Sequence, residues 1–402
     1  MKRYRMAVIP GDNVGPEVVA QGLRVLKRLE DLGFCAFDTQ SFSWGAGEYL
    51  RTGRAAPDPD EIVAVLREFD AIYFGAHGDP SRVPDWVASQ QLMHPLRQGL
   101  DLYVNLRPIK LFHGVESPLK APGDIDFVVV RENTEGEYSP IGGRAHPGLP
   151  HEVAVQTAVV TRQGAERVIR FAFELARARD QKRRVHCVTK SNAMVHIMSL
   201  WDEVFETIAR QFPDIETSKS HVDATSMYLV SRPSTFDVIV ATNLMGDILS
   251  DEAAAVTGSI GLAVGGNLNP ERRYPSLFEP IHGSAPDIAG RGIANPLAAI
   301  GALALLLDWV GETLAASMVS GAIADVLARR EVRTRDLGGD ASTADMTDAI
   351  IEAITAGPAL DGSLTLGGLL PKVATPAATF AADVGAQGLA AYPPATKDGS
   401  ER

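Results

Sequence analysis

The sequence is short of cysteine, of basic charge and of long apolar runs, and each shortage excludes a class of protein. Only two cysteines, Cys35 and Cys187, occur in 402 residues, without metal-ligand spacing, so neither a disulfide framework nor a thiolate zinc site is expected. The formal net charge of −12, with no clustered basic stretch, argues against a nucleic-acid partner. The longest apolar run, 297–307, is too short to cross a membrane and predicts a buried helix.

Two further patterns are missing. No basic segment followed by an apolar one opens the chain, which together with the scarcity of cysteine gives the expectation of a cytoplasmic protein. The stretch IPGDNVGPE at 9–17 lacks the G-x-G-x-x-G spacing, so an ordinary Rossmann dinucleotide loop is excluded. The segment HGSAPDIAGRGIANP at 282–296 offers Asp287 as an acceptor for ribose hydroxyls, although a plain loop fits that segment equally.

What is present is a regular alternation of short branched-aliphatic runs with longer helical patterns. The runs are RMAVIP at 5–10, DAIYFGA at 70–76, DIDFVVV at 124–130, RVHCVT at 184–189 and FDVIVAT at 236–242. This alternation predicts an α/β architecture with a largely parallel sheet and with ligands near the carboxyl ends of the strands. The length allows two core-bearing lobes, whereas residues 372–402 are rich in alanine and proline and predict a poorly ordered or surface-lying tail.

The segment NLMGDILSD at 243–251 places two carboxylates directly after an apolar strand. Asp247 and Asp251 are four residues apart, so in a helix they lie on one face, where like charges repel. A divalent ion such as Mg²⁺ or Mn²⁺ would remove that repulsion, and Asp223 is a candidate third ligand. The alternative is a helix N-terminal turn that favours acidic residues.

Other polar residues follow the predicted strands. Arg131 and Tyr138 could grip a carboxylate and pass a proton, although Arg131 could instead pair with Glu132 or Glu135. Lys190 could act as a base if desolvated, or be an ordinary surface residue.

Two arginines in the segment 92–108 suggest recognition of a diacid. Arg97 and Arg107 are ten residues apart, about three helical turns if the chain between them stays helical. Ordinary salt bridges on a helix surface are the alternative.

These segments, in order, resemble the isopropylmalate and isocitrate dehydrogenase family of β-decarboxylating 2-hydroxyacid dehydrogenases, over roughly 1–370. Within that family the chain is most similar to the tartrate and D-malate dehydrogenase branch. The segments that suggest the branch are YFGAHGDPSRVPD at 73–85, VRENTEGEYSPIGGR at 130–144 and LNPERRYPSLFEPIHGSAPDI at 268–288.

The resemblance implies a two-lobed fold with a mixed, largely parallel central sheet that is not a standard Rossmann fold. Residues 1–102 and 259–371 would form a large cofactor-binding lobe, and 103–258 a lobe for dimerisation and for metal and substrate binding. It also implies a homodimer with shared active sites, whose pairing into tetramers is left open, and no nucleic-acid or membrane partner.

The resemblance also assigns roles to single residues. Tyr138 and Lys190 would be catalytic, with Lys190 taking the hydroxyl proton and Tyr138 protonating the enol. Lys190 and Asp223 would come from the neighbouring subunit. The substrate would be held by Arg97, Arg107, Arg131 and His94, and the metal, Mg²⁺ or Mn²⁺, by Asp223, Asp247 and Asp251. The cofactor, NAD rather than NADP because of Asp287, would contact Glu279, His282, Gly283, Ser284, Ala285, Asp287, Ile288 and Asn295.

Some residues depart from the family pattern. Asn13 stands where glycine is usual, and His77 where an apolar residue is usual. In the specificity segment at 89–98, Gln91, Met93 and His94 match none of the isopropylmalate, isocitrate or tartrate sets. A tartrate- or D-malate-like substrate is preferred, and a bulkier diacid, triacid or phosphonate analogue is the alternative. A catalytically silent regulatory subunit is the interpretation from a different class.

Overall fold

The computed structural model of the protein describes residues 2–357. The predicted tail at 372–402, together with the end of the segment 259–371, lies outside the described residues.

Strands and helices alternate along most of the chain. The strands are β1 (Tyr4–Gly11), β2 (Phe37–Ser41), β3 (Ala71–Ala76), β4 (Val104–Lys110), β5 (Asp126–Glu132), β6 (Gly142–Ala145), β7 (Val153–Gln156), β8 (Arg184–Thr189), β9 (Glu216–His221), β10 (Val238–Ala241), β11 (Val264–Leu268) and β12 (Ser276–Pro280). The helices are α1 (Val14–Asp31), α2 (Ala46–Thr52), α3 (Pro59–Leu66), α4 (Trp86–Ala88), α5 (His94–Gly99), α6 (Arg162–Arg179), α7 (Val195–Ala209), α8 (Val222–Ser231), α9 (Asn243–Val256), α10 (Leu297–Val310), α11 (Thr313–Arg329) and α12 (Thr343–Ala356).

One ten-stranded sheet runs through the molecule in the order β2-β1-β3-β12-β11-β4-β5-β10-β8-β9. The pairs β12–β11, β11–β4 and β4–β5 are antiparallel, and the other pairs are parallel. The predicted mixed, largely parallel α/β sheet is therefore confirmed, and its strand order is not that of a Rossmann fold.

Helices cover both faces of the central strands, which are therefore buried, whereas the edge strands β2 and β9 are largely exposed. Every residue of β3 and β10 is buried, as expected for parallel strands with helices on each face. The apolar run at 297–307 forms the greater part of α10, which is almost entirely buried and packs on β12 and against α1 and α11. The prediction of a core helix there is confirmed.

The two predicted lobes meet at the antiparallel pair of β4 and β11 in the middle of the sheet. Strands β1, β2, β3, β12 and β11 come from the first predicted lobe, and β4, β5, β8, β9 and β10 from the second. The lobe boundaries themselves stay a prediction. A separate hairpin of β6 and β7 projects with all of its residues exposed. No helix among residues 2–357 is long and apolar enough to cross a membrane.

Candidate active site

Helix α9 begins almost directly after β10 and carries the two aspartates. Asp247 and Asp251 lie in the second and third turns of α9, and its first turn contains no acidic residue. They do lie one turn apart on one helical face, as the spacing predicts, and a simple preference for acids at a helix start does not explain them. Gly246 permits this helix to approach β5, because a Cβ there would come 2.7 Å from Cβ of Arg131.

Two buried arginines meet the carboxylate of Asp247. Arg107 on β4 donates from Nη2 to Asp247 Oδ1 at 3.0 Å and from Nη1 to Asp251 Oδ1 at 3.1 Å. Arg131 on β5, only 1% exposed, donates from Nη1 to the same Asp247 oxygen and from Nε to Asn243 Oδ1 at 3.0 Å. Arg131 therefore pairs with α9 rather than with Glu132 or Glu135.

The chain between Arg97 and Arg107 does not stay helical, so the two arginines are not related by helical spacing. Helix α5 ends at Gly99, and Arg107 lies in the middle of strand β4. The chain turns because β4 pairs on both sides, with β5 and β11, and these ladders outweigh helical spacing. Arg97 nevertheless reaches the same region, with Nη2 3.5 Å from Glu279 Oε1.

Tyr138 completes the cluster on the side away from Arg107. Its hydroxyl donates to Asp247 Oδ2 at 2.9 Å, and the guanidinium carbon of Arg131 lies 5.5 Å from its ring centroid. Burial, then the charge of Asp247, raises the pKa of Tyr138 to about 12. The phenol is therefore protonated at neutral pH and available as a proton donor.

Burial and the neighbouring charges shift the pKa values of the cluster in opposite directions. Burial and the neighbouring Arg107 lower the pKa of Arg131 to about 9. Burial alone would raise the pKa of Asp247, but Arg131 and Arg107 outweigh burial and hold it below its usual value. Burial and the charge of Asp247 raise the pKa of Asp251, although Arg107 opposes them. The cluster holds two desolvated carboxylates against two guanidiniums.

His94 begins α5 directly after a π-helical segment, Ser89–Met93, that forms the first half of the specificity segment. Its ring stacks near Tyr138, with centroids 6.3 Å apart, and its buried Nδ1 has no hydrogen-bond partner. Burial, then Arg97, lowers the pKa of His94. π-helical turns are rare in proteins as a whole, but those that occur are often found at functional sites. There they displace side chains from regular helical positions. Gln91 instead accepts from the backbone of Ala55 at 2.9 Å.

Lys190 and Asp223 lie elsewhere in the chain and contact each other. Lys190 follows β8 and Asp223 lies in the first turn of α8, with side chains 28% and 68% exposed. The hydrogen bond from Lys190 lowers the pKa of Asp223. Within residues 2–357 of one chain no group of three or more His, Cys, Asp or Glu side chains could hold a metal. A single chain therefore brings Asp247 and Asp251 together but not Asp223.

The segment after β12 folds against the start of α1. The carbonyl of Ser284 accepts from the backbone of Val14 at 3.0 Å, and Ala285 has a φ of 41°. His282 has a buried Nε2 without a partner, and burial lowers its pKa. Asn13 adopts a φ of 53°, which confirms that asparagine tolerates the turn where glycine is usual.

The other predicted cofactor residues have mixed surroundings. Glu279 is buried and accepts from Asn267 at 2.7 Å, whereas Gly283 and Asp287 are exposed and Ile288 packs partly against α1. Asn295 is already engaged, donating to Asp336 at 2.9 Å and accepting from Leu297 at 3.0 Å. His77 lies edge-on to Phe74, and burial lowers its pKa.

Sequence reasoning missed several polar residues that hold the site. Asn243 on α9 accepts a hydrogen bond from Arg131, and Ser250 on α9 accepts one from Arg107 at 2.5 Å. Asn105 and Asn267, both fully buried, lie beside Arg107 and Glu279. The sequence did contain a signal for Asn105. It lies two positions from Arg107 in an otherwise apolar strand, and residues two apart in a strand lie on the same face of the sheet.

The comparisons with known proteins show the family to which the chain belongs. The model of the isocitrate/isopropylmalate dehydrogenase family matches residues 5–350. The chain belongs to this family. It is 47% identical over 353 residues to a probable tartrate dehydrogenase/decarboxylase of Bacillus subtilis, covering 87% of this chain and 98% of that protein.

Two further relatives from the family match equally well. A decarboxylating D-malate dehydrogenase of Escherichia coli is 47% identical, with 88% of this chain and 99% of that protein covered. A 3-isopropylmalate dehydrogenase of Corynebacterium efficiens is 48% identical, with 88% and 100% covered. This protein is a decarboxylating dehydrogenase of the family, which confirms the predicted enzyme class over the silent subunit. Identity alone does not separate the three substrates.

Proposed function

We propose that the protein oxidises and decarboxylates a small 2-hydroxy acid with a carboxylate at C3, using NAD and Mg²⁺ or Mn²⁺, and that the substrate resembles tartrate or D-malate. The observation that carries the proposal is the convergence of Asp247, Asp251, Arg107, Arg131 and Tyr138. It brings carboxylates, guanidiniums and a protonated phenol to one point.

The donor set fits a hard divalent cation. Asp247 and Asp251 supply carboxylate oxygens from one helical face, and Asp251 is half exposed, so an ion can reach it. Both carboxylates are now held by guanidiniums, chiefly those of Arg107 and Arg131. Asp247 and Asp251 would hold the ion together with Asp223 of a second chain.

The charges suggest how substrate is held. Arg107 and Arg131 are neutralised by the aspartates in the free chain. If a dication takes the aspartate oxygens, both guanidiniums become available for the carboxylates of a diacid, and the net charge of the site is preserved. Arg97, whose buried Nε has no partner, is the third candidate.

The proton-transfer roles follow from the same geometry. The metal supplies Lewis-acid polarisation of the substrate oxygens when bound. Tyr138 is a protonated phenol at the edge of the cluster and is suited to protonating the carbon left by decarboxylation. Lys190 is assigned to the hydroxyl proton, and because it lies apart from Tyr138 in one chain, the assignment requires a second subunit.

Exposed apolar side chains support a homodimer. Met227 and Val230 on α8, Ile248 on α9 and Val195 on α7 are each at least half exposed. They lie on the elements that carry or adjoin Asp223, Asp251 and Lys190. A patch of this kind marks an interaction surface. The exposed hairpin β6–β7, with Ile141, Val153 and Val155, is a second candidate for the dimer contact.

NAD is assigned to the start of α1 and the segment 282–288, which lie against each other. The Nε2 of His282 is a buried polar atom without a partner, and the exposed Asp287 suits a free ribose hydroxyl but repels a 2′-phosphate. Glu279, near Arg97, is assigned to the nicotinamide side. The free, buried Cys35 and Cys187 are compatible with the proposed cytoplasmic location.

The substrate preference depends on His94. Its buried, unpartnered Nδ1 beside Tyr138 favours a polar substituent at C3, such as the hydroxyl of tartrate, over an isopropyl group. A bulkier diacid, triacid or phosphonate analogue is the second candidate because the same nitrogen could meet an added carboxylate or phosphonate oxygen.

The test is NADH formation with Mn²⁺ and a substrate panel: D-malate, both tartrates, isopropylmalate, isocitrate, homoisocitrate and a phosphonate analogue. D-malate or a tartrate should give the highest kcat/KM, and chelator treatment should abolish the reaction. A tenfold advantage for a triacid would overturn the substrate assignment, and undiminished activity without metal would overturn the mechanism.

A further inference from the structure

Four neighbouring strands at the centre of the sheet present polar side chains on one face. Asn267 on β11 lies directly opposite Asn105 on β4, and Asn105 lies opposite Arg131 on β5. Glu279 on β12 is opposite Gly265, two residues from Asn267, so its side chain lies on the same face. The stripe crosses β4–β11, the pair at which the two predicted lobes meet.

These side chains form one directed chain of hydrogen bonds. Arg107 Nε donates to Asn105 Oδ1 at 2.7 Å, and Asn105 Nδ2 donates to Asn267 Oδ1 at 2.8 Å. Asn267 Nδ2 then donates to Glu279 Oε1 at 2.7 Å. The chain begins at a cation and ends at a carboxylate, so both amides are polarised in the same sense and neither can flip without losing bonds.

A branch fixes the central amide from a second side. Asn133, just past β5, donates from Nδ2 both to Asn267 Oδ1 at 2.9 Å and to the carbonyl of Leu102 at 2.8 Å. Asn267 thus accepts two hydrogen bonds and donates one while fully buried. Both polar atoms of the Asn267 amide are therefore paired, whereas Asn133 Oδ1 is buried without a partner.

We propose that Asn267, acting through Asn105, is a positioning residue that fixes Glu279 relative to Arg107. The inference rests on the proposed function, in which Glu279 lies on the nicotinamide side and Arg107 holds substrate. The chain of hydrogen bonds would then fix the nicotinamide, on the side of Glu279, relative to the substrate carbon that gives up hydride, on the side of Arg107. These two groups lie on opposite sides of the lobe boundary. Catalytic rates are sensitive to this kind of alignment.

The chain offers a matched control in Asn269. It is also a fully buried asparagine, two residues further on, but its amide donates to the carbonyl of Asp101 at 3.0 Å and its oxygen accepts from the backbone of Arg273 at 2.8 Å. It contacts neither Arg107 nor Glu279. Asn267→Ala and Asn269→Ala therefore remove the same side chain from similar burial, and only the first breaks the chain.

The experiment compares wild type with Asn267→Ala, Asn269→Ala, Asn105→Ala and the double variant Asn105→Ala/Asn267→Ala. Steady-state kinetics with Mn²⁺ give kcat and the KM values for NAD and hydroxy acid, and fluorescence titration gives the Kd for NADH. Asn267→Ala should lower kcat/KM about 10- to 100-fold and weaken NADH binding. Asn269→Ala should stay within about twofold in both measures despite a comparable fall in Tm.

The double variant tests whether the amides act as one unit. If they do, it should be little worse than the more damaging single variant, because the first substitution has already broken the chain. Equal effects of Asn267→Ala and Asn269→Ala, or fully additive losses in the double variant, would overturn the positioning role. An inactive wild type would instead overturn the proposed function.

Discussion

The two acidic groups of the candidate site differ sharply in their surroundings. Asp247 is surrounded by Arg107, Arg131 and Tyr138, all from its own chain and all partly or fully buried. Within residues 2–357 the side chain of Asp223 is paired only with Lys190, and it is 68% exposed. The first group is fully formed within one chain and the second is not. A single subunit thus builds the cluster around Asp247 and leaves Asp223 and Lys190, the proposed metal ligand and base, on its surface.

This difference gives the two groups different energetic roles. Around Asp247, burial makes each charge dependent on its partner, so removing one charge of the cluster is expected to destabilise the fold. The Lys190–Asp223 pair is solvated and contributes little to stability. Lys190 and Asp223 have few contacts within their own chain, so they are candidates for acting in the active site of a neighbouring chain.

The largest effect is expected from Asp247→Asn. It removes the carboxylate from Arg131, which is buried, and from the proposed metal. We expect a loss of kcat/KM of about 1,000-fold or more and destabilisation on the order of 3 kcal/mol, measured by steady-state kinetics and urea unfolding. Asp251→Asn is the comparison, since its half-exposed carboxylate contacts only Arg107. Asp251→Asn should lose a comparable amount of activity but should be destabilised less than Asp247→Asn. Equal destabilisation of the two variants would contradict the difference between the surroundings of the two carboxylates.

Mixing two inactive variants tests whether sites are shared. Tyr138→Phe and Lys190→Met should each lose most activity, the second with little change in Tm because its ion pair is exposed. If a site combines Tyr138 of one chain with Lys190 of another, heterodimers contain one intact site. Dissociating and reassociating an equal mixture should then recover roughly a quarter of wild-type activity. Recovery of none would show that both residues act within one chain.

A smaller effect is expected from His94→Leu. The substitution removes the buried ring nitrogen that lacks a partner and adds an apolar surface beside Tyr138. The ratio of kcat/KM for isopropylmalate to that for D-malate should rise about tenfold. Gln91→Leu serves as the control within the same segment, because Gln91 binds the backbone of Ala55. An unchanged ranking of substrates would show that His94 does not select them.

The last prediction concerns the stability of β8 and β9, the strands that precede Lys190 and Asp223. His186 on β8 binds Ser218 and Ser220 on β9 at 2.7 and 2.8 Å, and burial, then Arg232, lowers its pKa to about 4. Between about pH 6.5 and pH 4 the unfolded chain binds a proton that the folded chain refuses, so stability falls as pH falls. From pH 7 to pH 5 the loss should be about 2 kcal/mol in urea unfolding.

The matched variant for this prediction is His186→Gln, which keeps hydrogen-bonding capacity but cannot be protonated in this range. Between pH 7 and pH 5, His186→Gln should therefore lose about 2 kcal/mol less stability than the wild-type protein. An identical pH dependence in both proteins would show that other groups are responsible.

The sequence by itself determined much of the fold and part of the site. Buried parallel strands read as continuous apolar runs, so β3, β5, β8 and β10 were predictable, as was the core helix at 297–307. The four-residue spacing of Asp247 and Asp251 was sufficient to place them on one face, because helical periodicity is a local property.

Only the tertiary structure decided which residues face one another. The path from Arg97 to Arg107 leaves a helix and enters a strand because β4 is paired on both sides, and strand pairing is a long-range property. The partners of Arg131 and the chain through Asn105 and Asn267 depend on strand order and register, which no local pattern encodes. The sequence therefore supplied the chemical groups, and the order of strands in the sheet decided their arrangement.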